Sequence, residues 1–228
     1  MNNNELLIEK YKELEYAITK RYNLPKGASP IPYLESRNDF SKYAKELSYC
    51  REVRNFLQHE NKINQEFAVI ASDEMINKIE EIIEVVNNPV RIKDVYIKLD
   101  NVYYKGLGNY VYPSMVSMDH KRYSHIPIVE NRKLVGVFSK TSIFKYLLEE
   151  DMNILDNDLR FIDINKYISL DEEYYLYTTL NEPVGEVVEE VISNFKQGKR
   201  IAMIFVTKDG TDNGELLGLL TPYDILGY

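Results

Sequence analysis

Apolar positions in the first part of the chain recur at the spacing of amphipathic helices. This period predicts three helices, over residues 5–22, 39–61 and 71–86. The apolar face of the first helix consists of Leu7, Tyr11, Leu14 and Ile18. The prolines and the glycine between residues 25 and 32 predict a loop after this helix. No segment before Pro89 reads as a clear strand, so we expect residues 1–88 to form an all-α bundle.

After Pro89 the pattern changes to short runs of β-branched and aromatic residues that alternate with helical segments. Strands are predicted over residues 126–129, 134–138, 201–206 and 216–220, with a further strand inside 161–168. Helices are predicted over residues 114–123, 141–151 and 184–196. Alternating strands and helices are typical of an α/β domain. The whole chain is therefore predicted to be an α+β molecule in two parts, residues 1–88 and 89–228.

The second part contains an internal repeat. Each copy reads as a strand, a polar turn, a second strand and the start of a helix, and the two copies align on Gly136 and Gly218. The spacing is about 80 residues, and self-similarity at a fixed spacing indicates a repeated structural unit. The residues matched at the two helix starts are Ser139 with Thr221, and Ser142 with Asp224.

The helix start near the C-terminus has the pattern of a capping box. Thr221 lies at the expected N-cap, Pro222 at the first helical position, and Asp224 three residues after Thr221. These residues can simply cap their own helix. Alternatively, a hydroxyl and a carboxylate at this junction can hold a nucleotide, since a carboxylate accepts hydrogen bonds from both hydroxyls of a ribose. The local pattern leaves both interpretations open.

Over residues 90–228 these features resemble the CBS domain, a repeat named after cystathionine β-synthase that ends in strand–turn–strand–Gly-x-x-Thr/Ser-x-x-Asp–helix. The resemblance implies a tandem CBS domain pair, with repeat one at residues 89–155 and repeat two at 156–228. It also implies clefts between the repeats that bind AMP, ADP, ATP or a related ligand such as S-adenosylmethionine. Thr221 and Asp224 fit the pattern, which makes them the first candidates for nucleotide binding.

The first repeat departs from the CBS pattern at its helix start. Ser142 stands where the family has an aspartate, so the carboxylate that would hold a ribose is missing. The resemblance therefore implies that Ser139 and Ser142 mark a degenerate second site.

Further candidates for the nucleotide site lie near the strand starts. CBS domains often place a basic residue that faces ligand phosphates just before a strand, and His125 and Arg200 hold comparable places here. Apolar side chains are needed around an adenine ring. The candidates for that role are Ile168, Ile201 and Tyr223.

A second motif lies late in the second predicted helix, where residues 54–59 read Arg-Asn-Phe-Leu-Gln-His. Asn55 and His59 are four residues apart and share one helix face, whereas Arg54 lies about 140° away around an ideal helix. Histidine can transfer a proton near neutral pH, and arginine can stabilise charge on a phosphate under attack. The bland interpretation is a pair of cations at a helix end, which the helix dipole favours.

The hexamer resembles the motif of the HEPN family, which comprises all-α domains that include metal-independent ribonucleases acting as dimers. That resemblance implies a HEPN-like helical domain at residues 1–88. It also implies a catalytic set of Arg54, Asn55 and His59 with RNA as the substrate.

Composition sets the remaining bounds. The chain has 228 residues, 44% of them hydrophobic, and a formal net charge of −8, which argues against broad non-specific binding of nucleic acid. Its single cysteine, Cys50, allows no intrachain disulfide, and its first residues lack the pattern of a signal peptide. No apolar run approaches membrane-spanning length. We therefore expect a cytoplasmic protein that does not associate with a membrane and has no metal site.

Three functional hypotheses follow. The first is a regulatory protein that senses an adenine nucleotide in the CBS cleft and signals through the helical domain. The second is a HEPN-type endoribonuclease under nucleotide control. The third is a non-catalytic interaction protein whose CBS clefts are empty. Both resemblances imply a homodimer.

Overall fold

In the computed structural model of the protein, the described residues are 2–59, 67, 69–150, 156–168, 170 and 174–226. The chain divides into two compact units, Met1–Val90 and Arg91–Tyr228. They are termed here the helical unit and the mixed unit.

All the described elements of the helical unit are helices. They are α1 (Asn3–Arg21), α2 (Pro30–Ser36), a 3-10 helix (Asn38–Tyr43), α3 (Ala44–His59) and α4 (Asp73–Asn87). The predicted first and third helices are thus confirmed to within two residues at each end. The predicted second helix begins as the 3-10 turn and continues as α3.

Helix α1 packs against α4 through the apolar face that its sequence predicts. Leu7 and Ile18 are fully buried, as are Ile79 and Ile82 on α4. Arg21, at the end of α1, donates hydrogen bonds of 3.2 and 3.1 Å to the carbonyls of residues 85 and 86. These bonds satisfy carbonyls in the last turn of α4 that have no partner within the helix.

The loop predicted over residues 25–32 is partly wrong, because helix α2 begins at Pro30. Proline is tolerated in the first turn of a helix, where its missing N–H has no intrahelical partner. Ile31 and Leu34 on α2 are buried in the core of the helical unit. This burial stabilises a short helix that the sequence pattern does not predict.

The mixed unit contains six strands and five helices among its described elements. In chain order they are α5 (Ile92–Val95), β1 (Ile97–Lys98), α6 (Val111–Lys121), β2 (His125–Glu130), β3 (Lys133–Ser139), α7 (Lys140–Glu149), β4 (Tyr174–Thr178), α8 (Val184–Lys196), β5 (Ile201–Thr207), β6 (Leu216–Leu220) and α9 (Pro222–Ile225). Short 3-10 helices lie at Leu99–Asn101 and Asn165–Tyr167.

These strands form two sheets. Four strands make the order β1–β6–β5–β4, in which β4 and β5 are parallel and the other neighbours are antiparallel. The second sheet is the β2–β3 hairpin, to which Lys105 adds a parallel bridge at Ile128. A parallel pairing followed by an antiparallel hairpin occurs in both sheets, so the internal repeat in the sequence has a structural counterpart.

The repeated glycine has a steric cause. A Cβ atom at Gly136 would overlap the carbonyl oxygen of Ile168, and one at Gly218 would overlap the carbonyl oxygen of Ile97. Each sheet thus receives, beside the glycine of its hairpin, a segment from the beginning of the other repeat. In this way backbone from each repeat packs against the hairpin glycine of the other repeat, and the two repeats form one compact unit.

The strand predicted inside residues 161–168 is wrong. This segment consists of turns and the 3-10 helix Asn165–Tyr167, and the first strand of repeat two is β4. Phe161, Ile164 and Ile168 are fully buried in the core around β2. The apolar character of the segment therefore reflects burial rather than extended backbone.

Candidate functional site

A cleft of about 280 Å³ opens in the mixed unit between the starts of β2 and β5 and the end of β6. We call it the repeat cleft, because both repeats contribute to its walls. Its lining residues are Ile97, Asn101, Val102, Tyr103, Arg122, Tyr123, Ser124, His125, Pro127, Ala202, Met203, Leu219 and Thr221.

One wall of the repeat cleft is aromatic. The rings of Tyr103 and Tyr123 lie 6.0 Å apart at an angle of 42°. The Lys121 ammonium lies 5.1 Å from the centre of the Tyr103 ring, and the Lys105 ammonium lies 4.7 Å from it. Aromatic faces next to aliphatic side chains suit a planar, partly apolar ligand.

The charge of the lining contrasts with that of the chain. The lining includes Arg122 and His125, and of the described residues that form it none is an aspartate or glutamate, although the chain carries a net charge of −8. The Nδ1 atom of His125 lies 2.7 Å from the Ser124 hydroxyl oxygen. A cleft with cations and no carboxylate in its lining favours an anionic ligand.

Thr221 and Asp224 form the predicted capping box. One carboxylate oxygen of Asp224, Oδ2, accepts hydrogen bonds from the backbone N–H of Thr221 at 2.7 Å and from its hydroxyl at 2.8 Å. In the described part of the chain, the other oxygen, Oδ1, accepts no hydrogen bond, and the side chain is exposed. Thr221 lines the repeat cleft, whereas Asp224 lies one turn beyond the lining. The carboxylate thus caps its own helix and still has an acceptor oxygen.

The structure brings two of the predicted nucleotide-binding residues, His125 and Thr221, into one cleft. The other predicted residues do not line it. Ile201 is half-buried at the start of β5, Arg200 is exposed beside it, and Tyr223 is 90% exposed. Ile168 is fully buried in the other core, next to Gly136.

Sequence reasoning missed the aromatic wall and the arginine. Tyr103 lies in an irregular segment after the 3-10 helix Leu99–Asn101, and no periodicity marks such a segment. Tyr123 and Arg122 precede β2 by two and three residues, directly before the predicted His125. The signal that links both residues to the site is their position in the short connection before His125.

The matching position in repeat one is a closed cap. Ser139 and Ser142 are both buried, and they exchange hydrogen bonds from the backbone of each to the hydroxyl of the other at 3.1 and 3.3 Å. The Ser142 hydroxyl thus does the capping that the Asp224 carboxylate does in repeat two. Buried hydroxyls engaged in this way offer no charged acceptor to a sugar.

In the helical unit, Arg54 makes its contacts with α1 and with its neighbour on α3. Its guanidinium lies 4.9 Å from the centre of the Tyr11 ring and 3.9 Å from the Glu15 carboxylate, and it donates to the Asn55 side chain at 3.0 Å. Burial, with Glu15 nearby, raises the pKa of Tyr11 to about 12. The side chain of His59 lies outside the described residues. These contacts describe an arginine that packs two helices together.

Comparison with known families supports the CBS resemblance for repeat one. The CBS domain model matches residues 115–149, which include most of α6, the β2–β3 hairpin and α7. No relative was found among curated proteins.

Several solved structures are similar to part of the chain. A hemolysin-like CBS protein from Oenococcus oeni is 15% identical, with 61% of this chain and 90% of that chain covered at a TM-score of 0.42. A CBS protein of unknown function from Bacillus anthracis is 19% identical, with 60% and 91% covered at a TM-score of 0.43. CBSX2 in complex with AMP is 13% identical, with 60% and 93% covered at a TM-score of 0.43.

Two features are absent from the described residues. None of their helices combines the length and the apolar character needed to cross a membrane. They also contain no group of three or more His, Cys, Asp or Glu side chains placed to hold a metal ion.

Proposed function

We propose that the protein is a regulatory sensor of an adenine nucleotide, which binds in the repeat cleft and is read out through the helical unit. One observation carries the proposal. The repeat cleft joins an aromatic and aliphatic wall to the imidazole of His125 and to the hydroxyl of Thr221, with an unused carboxylate oxygen one turn beyond.

Each part of a nucleotide has a counterpart in this arrangement. We assign the adenine ring to the surface formed by Tyr103, Tyr123 and the aliphatic residues of the lining, where its burial from water is favourable. The ribose hydroxyls reach the free oxygen of Asp224, which can accept charge-assisted hydrogen bonds while Oδ2 keeps its capping role. The imidazole of His125, in the same lining, can donate a hydrogen bond to a phosphate oxygen.

The first test compares ligand-induced stabilisation in the wild type and in Asp224→Ala. We expect AMP, ADP or ATP to raise the melting temperature of the wild type, because a ligand at 100 times its Kd stabilises the folded state by about 2.7 kcal/mol. Asp224→Ala removes the ribose acceptor and should lose most of that ligand-induced shift. S-adenosylmethionine belongs in the same screen, since it is the other ligand that the CBS resemblance implies.

The matched control is Asp94→Ala. Asp94 caps the four-residue helix α5 by accepting from the Arg91 N–H at 3.1 Å, as Asp224 caps the four-residue helix α9, and it does not line the repeat cleft. Loss of either cap should cost about 1 kcal/mol of folding free energy. It should therefore lower the melting temperature of the protein without ligand. Only Asp224→Ala should lose the ligand-induced shift. Equal shifts in all three proteins would contradict a role for Asp224 in binding.

The ribonuclease alternative gains no support from the contacts of Arg54, which explain that residue as a packing element. An RNA cleavage assay decides it. The alternative requires cleavage by the wild type that His59→Ala abolishes.

A further inference from the structure

Arg122 adopts an unusual backbone conformation for its residue type. It ends α6 in the left-handed region, with φ 57° and ψ 34°, and the N–H of Tyr123 bonds back to the carbonyl of Met118 at 2.9 Å. Glycine is the usual residue at this position, because a Cβ atom there is crowded against the neighbouring backbone. After α8, in repeat two, the chain does use a glycine, Gly198, with φ 81°.

Within the described part of the chain, the Arg122 side chain makes no contact that would offset this backbone strain. The structure records no ion pair, hydrogen bond or ring contact for its guanidinium there, and the side chain is exposed at the lining of the repeat cleft. Two other arginines of the mixed unit, Arg132 and Arg160, make such contacts, whereas Arg200 is exposed and lies outside the cleft lining. Arg132 pairs with Glu215 at 2.6 Å, and Arg160 lies 5.0 Å from the Tyr110 ring.

We propose that Arg122 binds the phosphate of the ligand and makes the repeat cleft selective for nucleotides over uncharged or cationic adenosine compounds. This inference rests on the proposed function and deepens it. A guanidinium offers a planar pair of donors that fits two phosphate oxygens. Since no described lining residue is acidic, nothing in the lining compensates the sulfonium cation of S-adenosylmethionine.

The experiment measures the affinities of AMP, adenosine and S-adenosylmethionine by calorimetry for the wild type and Arg122→Gly. We expect the wild type to bind AMP at least about tenfold more tightly than adenosine, the range of one charge-assisted contact. Arg122→Gly should lose this preference by weakening AMP, with adenosine unchanged.

Arg132→Gly is the matched control. Arg132 is also an arginine with positive φ, 59°, but it is paired with Glu215 and lies outside the cleft lining. Its substitution should leave the preference for AMP over adenosine intact.

A second readout separates binding from a structural role. Without ligand, Arg122→Gly should melt no lower than the wild type, because glycine adopts the left-handed region at little cost. A clear fall in its melting temperature, or a loss of adenosine binding along with AMP, would mean that Arg122 holds the fold, which overturns the inference.

The remaining outcomes are also decisive. If the wild type binds AMP and adenosine equally, or prefers S-adenosylmethionine, the inference fails while an adenosine-binding cleft stands. Retention of wild-type AMP affinity by Arg122→Gly also overturns it. Absence of binding by every adenine compound to the wild type overturns both the inference and the proposed function.

Discussion

Gly136 shows how a single residue determines the architecture of the mixed unit. Its missing side chain leaves room for the carbonyl of Ile168, which accepts a hydrogen bond from the N–H of Val137 at 2.9 Å. The glycine is visible in the sequence as half of a repeated pair. Its reason is not, because the segment that approaches it lies 32 residues away along the chain, in a stretch whose pattern predicts a strand that the structure does not contain.

We expect Gly136→Ala to destabilise the protein strongly. The new methyl group would overlap backbone, which cannot move aside as a flexible side chain can, so the cost should be about 2 to 3 kcal/mol or more. Denaturant unfolding measures it. Gly108→Ala is the control, because a Cβ atom at Gly108 meets nothing within 4 Å. Equal stability of the two variants would contradict the close approach at Gly136.

The candidate site was only partly predictable from its residues. Thr221 and Asp224 were found because capping-box spacing is a local signal, and the structure confirms the cap itself. Arg122 belongs to a basic cluster beside His125 whose ordinary interpretation is a solvated surface, and nothing local in the sequence distinguishes it from Lys121 as a ligand contact. Ile168 and Ile201 were chosen for their apolar character alone, which does not distinguish a ligand wall from a core.

At the scale of elements, regular patterns predicted well and irregular ones did not. The bounds of α8 and β6 are confirmed to the residue, since α8 has a continuous apolar face and β6 is a short, largely buried run. Helix α2 and strand β4 were missed. Helix α2 begins with prolines, which predict a loop. Strand β4 lies in a tyrosine-rich segment, and the more apolar residues 161–168 before it were predicted to be the strand instead.

The reactivity of the Cys50 thiol tests the packing of α3. The side chain is 4% exposed, and burial, with Glu46 nearby, raises the pKa of its thiol to about 11. At pH 8 only about a thousandth of such a thiol is the reactive thiolate. We therefore expect a disulfide reagent to label Cys50 slowly in the folded protein and rapidly in denaturant. Labelling of the folded protein at the rate of a free thiol would contradict the packing of α3.

At the scale of the whole molecule, the proposal requires the two units to communicate. A ligand can change the helical unit only if it binds one arrangement of the protein more tightly than another. Hydrogen exchange with and without AMP measures this directly. We expect altered protection in peptides from α1 to α4 as well as around the repeat cleft, and none of these changes in Asp224→Ala. Changes confined to residues 91–228 would contradict readout through the helical unit.

The oligomeric state belongs to the same scale. We propose a homodimer, the assembly that both sequence resemblances imply. Light scattering should then give twice the 26.8 kDa mass of the chain. A monomer with and without AMP would contradict this proposal while leaving ligand binding untouched.

The most direct test of the central claim is a crystal structure of the protein grown with AMP. The account predicts density for the nucleotide in the repeat cleft, with adenine beside Tyr103 and Tyr123, a ribose hydroxyl within hydrogen-bond distance of Asp224 Oδ1, and the phosphate at Arg122. An empty cleft at an AMP concentration that saturates binding in solution, or density at another site, would contradict it.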